Sequence, residues 1–129
     1  SNSSLLSLSL KGNNIGNVGG QELIQALQFH PSIKKLDIGW MRIREVTIQH
    51  LASVLQSNTS LIALSLIHCR IENIEGLASA LRLNSTLMKL NLSWCSIGDE
   101  EASRLADALQ SNSSLTKLCL SHNRIGDVG

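Results

Sequence analysis

The sequence predicts an α/β repeat solenoid in which each repeat contributes a short strand, a turn and a helix. Three observations support this fold class: a leucine pattern recurs five times, apolar residues four apart follow it, and Ser/Asn-rich stretches separate the copies. A single strand–helix unit cannot bury both of its faces, whereas stacked units share one continuous core. We therefore expect a single repeat domain over residues 1–129.

The strand half of each repeat follows the pattern L-x-x-L-x-L-x-x-N/C-x-I. In the first copy Leu8 alternates with Ser7 and Ser9, which is the period-two signal of a strand. The copies begin near residues 5, 33, 61, 87 and 115, so their spacing is 28, 28, 26 and 28 residues. At the N/C position we expect Asn to bind backbone groups of the turn and Cys to fill the same buried space. That position reads Asn13, Met41, Cys69, Cys95 and Asn123.

The second half of each repeat has the period of a helix, with leucine pairs four residues apart at 23 and 27, 51 and 55, and 105 and 109. Stretches such as QSNTS (56–60) and QSNSS (110–114) should end the helices, because Ser and Asn side chains bind nearby backbone groups. The third copy is two residues short, since Leu77 follows Ile71 too early. We expect its loop to lose two positions, with a tighter turn at 72–75 and an intact solenoid.

The five motif copies and four in-phase helical segments resemble the leucine-rich repeat family, and the 28-residue spacing resembles its ribonuclease-inhibitor-like class. The IG-x-x-G stretches at Ile15–Gly19 and Ile125–Gly129 are similar to those of NOD-like receptors and Ran GTPase-activating proteins. The resemblance implies a right-handed, curved solenoid with parallel strands on the concave face and helices on the convex face. Met41 departs from the family pattern at the N/C position.

Composition argues against several functional classes. A net charge of +1 is unlike the strongly basic balance of dedicated nucleic-acid or membrane-surface modules, and no apolar run is long enough to span a membrane. Three cysteines without CxxC spacing suit neither a disulfide framework nor a zinc site, so we expect reduced thiols and a cytoplasmic location. No catalytic motif is present, and we predict no enzyme activity, no metal and no cofactor.

The repeats show no capping unit at either end of the sequence, so we expect the chain to be part of a longer array. Ends of this kind should expose apolar surface and unpaired strand edges. Such surfaces favour end-to-end self-association.

Alignment of the copies identifies candidate binding residues. Because the motif leucines face inward, the intervening positions should face the concave surface. The column directly before the N/C position holds both tryptophans of the chain, in the row Trp40, His68, Trp94 and His122. At a strand spacing of ~4.8 Å this row would extend about 15 Å. Two further columns bring Lys35, Lys89 and Lys117, and Asp37 and Asn91, to the same face.

We therefore predict a scaffold that binds a protein partner on its concave face, with the nine residues just named as the contact set. The ring row has a second interpretation, as packing that shields the strand ends, and the lysines have one as a merely solvated face. Two alternative functions stay open from the resemblance: a regulatory, autoinhibitory repeat segment of a NOD-like innate immune receptor, and a GTPase activator of the Ran-activator type.

Overall fold

The computed structural model describes residues 4–129, so the first three residues of the expected domain lie outside the described residues. Strands and helices alternate along this part of the chain. The strands are β1 (Ser7–Ser9), β2 (Lys35–Asp37), β3 (Ala63–Ser65), β4 (Lys89–Asn91) and β5 (Lys117–Cys119). The helices are α1 (Asn17–Ala26, followed by a 3-10 turn at Leu27–Phe29), α2 (Glu45–Ser57), α3 (Glu75–Leu83) and α4 (Asp99–Ser111).

The strands form one parallel sheet in the order in which they occur along the chain. Each is three residues long, and the middle leucine of each strand pairs in register with that of its neighbour: Leu8, Leu36, Leu64, Leu90 and Leu118. Sequential parallel pairing with a helix between successive strands is the predicted α/β solenoid, and this prediction is confirmed.

The core lies between the sheet and the helices. Leu64 and Leu90 of the strands are 2% exposed, and the helical Leu51 and Leu77 are 0% and 1% exposed. Burying one such side chain completely contributes about 1.5–3 kcal/mol. Leucines of the outer strands β1 and β5 are only partly buried, because each of those strands has a single neighbouring repeat. Among the described residues, no helix is both long enough and apolar enough to cross a membrane.

The N/C position is structural, as expected. The Asn123 amide donates to the backbone oxygens of Leu92 and Leu120, and its Oδ1 accepts from the N–H groups of Cys95 and Ile97. Cys95 is fully buried in the same position of the preceding repeat, where its thiol lies 3.1 Å from the Leu66 oxygen. These contacts join the turns of successive repeats.

A second asparagine position fastens the opposite end of the repeats, and the sequence patterns did not reveal it as a link between repeats. The Asn84 amide donates to Leu55 O and Asn58 O of the preceding repeat, at 2.8 and 3.0 Å. Its Oδ1 accepts from its own loop, and Asn112 repeats the arrangement one repeat later. Asn84 and Asn112 therefore each end a helix and also tie their repeat to the previous one, whereas the Asn58 side chain bonds only within its own loop, to Ser60 and Leu61.

The prediction of a tighter turn in the third repeat is wrong, although the solenoid is intact as expected. Helices α1, α2 and α4 begin two residues after the motif isoleucine, whereas α3 begins at Glu75, four residues after Ile71. The loop is therefore longer, and α3 is shorter, with nine residues against 13 in α2 and α4. Ile74 is 1% exposed just before the helix, so it reaches the core from a non-helical segment.

Side chains of α2 support this longer loop. The Glu45 carboxylate accepts a hydrogen bond from the Glu72 N–H at 2.8 Å, and the Gln49 amide donates to the Asn73 oxygen at 3.0 Å. Gln49 also donates to Glu45. Gly76 lies against the Gln49 side chain, where a Cβ would collide with it. The missing helical turn of α3 is thus replaced by hydrogen bonds from the preceding helix.

Candidate functional site

The turns that follow the strands place the residue directly before the N/C position in a left-handed conformation in every repeat. These residues are Gly12, Trp40, His68, Trp94 and His122, with φ between 57° and 79°. Arg42 and Ser96, two residues further on in their repeats, are left-handed as well, with φ of 53° and 60°. The backbone N–H groups of the first four residues of the column, Gly12 to Trp94, continue the ladder beyond the sheet; that of Trp40 donates to Ile67 O at 2.9 Å and that of Trp94 to Ser121 O at 3.0 Å. The backbone therefore holds the rings in register, and we call Trp40, His68, Trp94 and His122 the rim row.

The rim row consists of two stacked pairs. The Trp40 and His68 rings lie 3.9 Å apart with an interplanar angle of 8°, and the Trp94 and His122 rings lie 4.2 Å apart at 14°. These separations are close to the strand spacing of ~4.8 Å that aligns the repeats. Each tryptophan is thus supported on one face by the histidine of the next repeat.

Both tryptophans stay open to solvent. Trp40 is 45% exposed and Trp94 is 51% exposed, so neither belongs to the leucine core. The left-handed backbone costs a residue other than glycine about 1–2 kcal/mol. Gly12 shows that the same turn forms without a ring. The fold therefore requires the left-handed turn, but it does not require a tryptophan on it.

Asp37 and Asn91 hold the two turns that carry tryptophan. The Asp37 carboxylate accepts from the Gly39 N–H at 3.0 Å, and Asn91 Oδ1 accepts from the Ser93 N–H at 3.0 Å. Each bond closes a local side-chain turn immediately before a tryptophan. These two predicted contact residues thus also orient the rim row.

The predicted lysines lie on the sheet beside the rim row. A shallow cavity of about 380 Å³ crosses all five strands, so this face of the sheet is concave. The side chains around it include every predicted strand residue: Lys35, Lys89, Lys117, Asp37 and Asn91. No rim-row residue lines that cavity. The structure therefore divides the predicted contact set into a strand group on the concave face and a ring group in the turns at the strands' carboxyl ends.

A second cavity, the rim cleft, was missed from the sequence. It has a volume of about 400 Å³ and is lined by His68, Arg70, Trp94, Ser96, His122 and Arg124. The arginines belong to a column two residues beyond the rim row, which reads Asn14, Arg42, Arg70, Ser96 and Arg124. Alignment of that column in the repeats would have revealed it.

Charge is segregated between the helices and the rest of the molecule, although the chain as a whole carries only +1. Of the 11 basic residues only Arg82 and Arg104 lie in helices, and the other nine lie in strands and loops. Seven of the ten acidic residues are helical: Glu22, Glu45, Glu75, Asp99, Glu100, Glu101 and Asp107. On the helices, Arg104 pairs with Glu75 and Glu100. The hydrogen bonds that Glu75 accepts from Arg104 and Arg82 hold the pKa of Glu75 below its usual range. The strands and loops taken together are therefore net basic, and the helices are net acidic.

The two buried cysteines, Cys69 and Cys95, offer little reactivity. Burial, followed by the charges of Cys95 and Asp37, raises the pKa of Cys69 to about 12. Burial likewise raises the pKa of Cys95 to about 11. Because the thiolate is the reactive form, both thiols are poor nucleophiles and metal ligands at neutral pH. Within residues 4–129, no group of three or more His, Cys, Asp or Glu side chains is placed to hold a metal ion.

Comparison with known proteins agrees with this architecture. The family model described as Leucine Rich repeat matches residues 1–23, 83–106 and 111–129, which together are just over half of the chain. No curated protein sequence matches.

Two solved structures share the fold. The C-terminal domain of tropomodulin from Caenorhabditis elegans aligns with a TM-score of 0.82 and 18% identity, over 93% of this chain and 75% of that domain. The structure of leiomodin-1 actin-binding site 2 aligns with a TM-score of 0.79 and 22% identity, over 88% of this chain and 69% of that one. At these identities the likeness establishes the fold alone.

Proposed function

Because the chain belongs to the leucine-rich repeat family, we propose that it binds a protein partner through its concave face and rim row. Trp40 and Trp94 act as the apolar anchors, and Lys35, Lys89 and Lys117 provide the charged surroundings. The observation that carries this proposal is the pair of half-exposed tryptophans on left-handed turns. We also assign the repeats to the ribonuclease-inhibitor-like class, on the support of their 28-residue spacing and 13-residue helices.

The energetics of the rim row favour a binding role over packing. A tryptophan in left-handed backbone is unfavourable, and half of its surface gains nothing from burial in the free protein. Backbone strain and exposed aromatic surface are both features of binding sites. Tryptophan is also one of the residues that most often dominate interface energetics. If the rings only shielded the strand ends, glycine at position 12 would leave the first repeat unshielded.

The charge distribution indicates the chemistry of the partner. Lys35, Lys89 and Lys117 line the concave cavity, where Asp37 is the one acidic residue among those described. The Asp37 carboxylate is already engaged with the Gly39 N–H. An acidic partner surface would therefore meet uncompensated positive charge, which accelerates association and fixes orientation more than it adds affinity.

Site-specific photo-crosslinking tests where the partner binds. A benzoylphenylalanine placed at Ser65 on β3 should capture the partner, whereas the same group at Ser53, exposed on α2, should not. Capture from Ser53 alone would place the interface on the helices and contradict the proposal. An excess of the chain without benzoylphenylalanine should reduce capture of the partner, which shows that the crosslink comes from specific binding.

Actin is the first defined protein to assay, since the similar leiomodin-1 structure is that of an actin-binding site. The two chains share the fold. Co-sedimentation of the chain with actin filaments, repeated with Trp40→Gly, is the direct assay. If the chain sediments with actin filaments and the variant does so less, actin is identified as the partner. If the amount of chain in the pellet does not depend on actin, actin is not the partner.

A further inference from the structure

The rim cleft contains chemistry that the apolar anchors do not explain. Its lining includes the guanidinium groups of Arg70 and Arg124 and no carboxylate. At about 400 Å³ it falls within the size range of small-molecule and side-chain pockets. Trp40 does not line it, so it is separate from one of the two anchors.

The cleft exists because serine interrupts an arginine column. Ser96 stands at the position that holds Arg42, Arg70 and Arg124 in three other repeats. Its short side chain leaves the space between Arg70 and Arg124 open. Two strand spacings of ~4.8 Å separate those repeats, which places the bases of the two arginine side chains about 10 Å apart. Guanidinium groups on flexible stems can converge on one small group across that distance.

Aromatic surface faces the same space. His68 is stacked on Trp40 through one face, and Trp94 is stacked on His122 through one face. The other faces of His68 and Trp94 are directed towards the space between the two pairs, where no ring contact is formed among the described residues. A planar ring at the mouth of the cleft can pack against the exposed surface of His68 or Trp94, in the offset or edge-to-face arrangements that aromatic rings prefer.

Both arginines are available to a ligand. Arg70 contacts Glu72 at 3.4 Å, with 79% and 62% of the two side chains exposed. Such exposed ion pairs contribute little and are readily exchanged. Arg124 forms no ion pair with any described residue, and its backbone N–H donates to Ile97 O.

We infer that the rim cleft binds a phosphotyrosine side chain of the protein partner, an inference that rests on the proposed function. A phosphoryl group carries a charge of about −1.5 to −2, so it can balance the charge of both guanidinium groups. A ligand with a single carboxylate carries one negative charge and could not balance both. Arginine binds phosphate through two parallel hydrogen bonds, which fixes its geometry. The phenyl ring of phosphotyrosine then packs against the exposed surfaces of His68 and Trp94 at the mouth of the cleft.

The test uses the whole chain and a capped Gly-phosphotyrosine-Gly peptide, with binding followed by NMR of the Trp94 indole N–H. Comparison peptides carry tyrosine or phosphoserine in place of phosphotyrosine, and AMP serves as a nucleotide probe. The phosphotyrosine peptide should bind at least about tenfold more tightly than each of the three, because it alone combines the ring, the dianion and the peptide. Equal affinity for any of them would overturn the inference.

Substitutions at the cleft separate a built site from diffuse attraction. Arg70→Ala and Arg124→Ala should each weaken binding about tenfold or more. Arg44→Ala removes the same charge from an exposed position outside the cleft, and affinity should not change. Ser96→Arg is the decisive variant, because it adds positive charge but fills the cleft. Weaker binding supports the site, whereas tighter binding would show that only net charge matters.

Failure of this inference and failure of the proposed function give different results. If the partner loses affinity with Trp40→Gly but is insensitive to phosphatase treatment and to Ser96→Arg, the cleft assignment alone is wrong. If the phosphotyrosine peptide binds as expected and phosphatase treatment weakens partner binding, while Trp40→Gly leaves partner affinity unchanged, the assignment of Trp40 as an anchor alone is wrong. Thermal unfolding of every variant verifies that each one is folded.

Discussion

The rim row shows how backbone conformation and side-chain choice can conflict at a single residue. Trp94 has φ of 60°, a conformation that glycine adopts freely and that crowds the Cβ of other residues. Stacking on His122 compensates part of this strain. The remaining strain is the reason to look for a function at this position.

The left-handed backbone can be tested at Trp94 without reference to binding. Trp94→Gly and Trp94→Ala both remove the ring stack, but the alanine variant retains the crowded Cβ. We predict that Trp94→Gly is the more stable by about 1 kcal/mol in chemical denaturation. The same pair at Val46, exposed on helix α2, should show the opposite order. If the glycine variant is less stable than the alanine variant at both sites, the proposed backbone strain at Trp94 is contradicted.

The thiols provide a second prediction at this scale. Cys119 is partly exposed and should react with a thiol reagent at pH 8, whereas Cys69 and Cys95 should react only after unfolding. Both buried thiols have folded-state pKa values raised above the ordinary 9.0, to about 12 and about 11. Their stabilising contribution is therefore complete below about pH 9 and is lost as the pH rises towards 11–12. Native reaction of all three thiols would contradict this burial.

At the scale of elements, the third repeat shows that a deletion need not fall where the spacing suggests. The distance from Ile71 to Leu77 correctly gave the register of α3 on the core, since both residues are buried. It could not reveal that the first helical turn, and not the loop, would be lost. That outcome depends on Glu45 and Gln49, which lie a full repeat earlier in the sequence.

Substitution of Gln49 tests this support. Gln49→Ala should lower the free energy of unfolding by about 1 kcal/mol, because it removes the hydrogen bond to the Asn73 carbonyl group and the contact with Glu45. Gln21 occupies the corresponding position on α1, so Gln21→Ala is a matched control expected to change stability by less than about 0.5 kcal/mol. Hydrogen exchange at residues 72–74 should accelerate only in the Gln49 variant. Equal effects of both substitutions would argue against the proposed support.

For the whole molecule, most of the fold could be predicted from the sequence because a solenoid is specified locally and repeatedly. The central leucines of the strands and the leucine pairs of the helices determine which faces are buried, and adjacent repeats then impose the register. Even the Asn and Cys turn positions are determined by these nearest-neighbour contacts. The positions of the ends within any longer array, and end-to-end association, stay predictions.

The candidate site was less predictable, for physical reasons. Alignment of repeats identified the column that contains Trp40 and Trp94, but not the left-handed turns that carry it beyond the strands. The net charge concealed the positive charge of the strands and loops, because the acidic helices offset it in the total. The rim cleft depends on a short side chain at Ser96 where three other repeats have arginine, and an exception of this kind is easily overlooked in a pattern defined by what recurs.

The affinity of the purified partner for the Trp40→Gly/Trp94→Gly double variant, measured by calorimetry, tests the central claim most directly. Glycine keeps the left-handed turns, so only the exposed rings are removed. Each anchor is expected to contribute at least about 2 kcal/mol, so affinity should fall by about 30-fold or more for each tryptophan removed. The control Val18→Ala/Val46→Ala removes exposed apolar groups from the helices and should bind like the unaltered chain. Unchanged affinity in the tryptophan variant, or a comparable loss in the control, would contradict a partner held at the rim row.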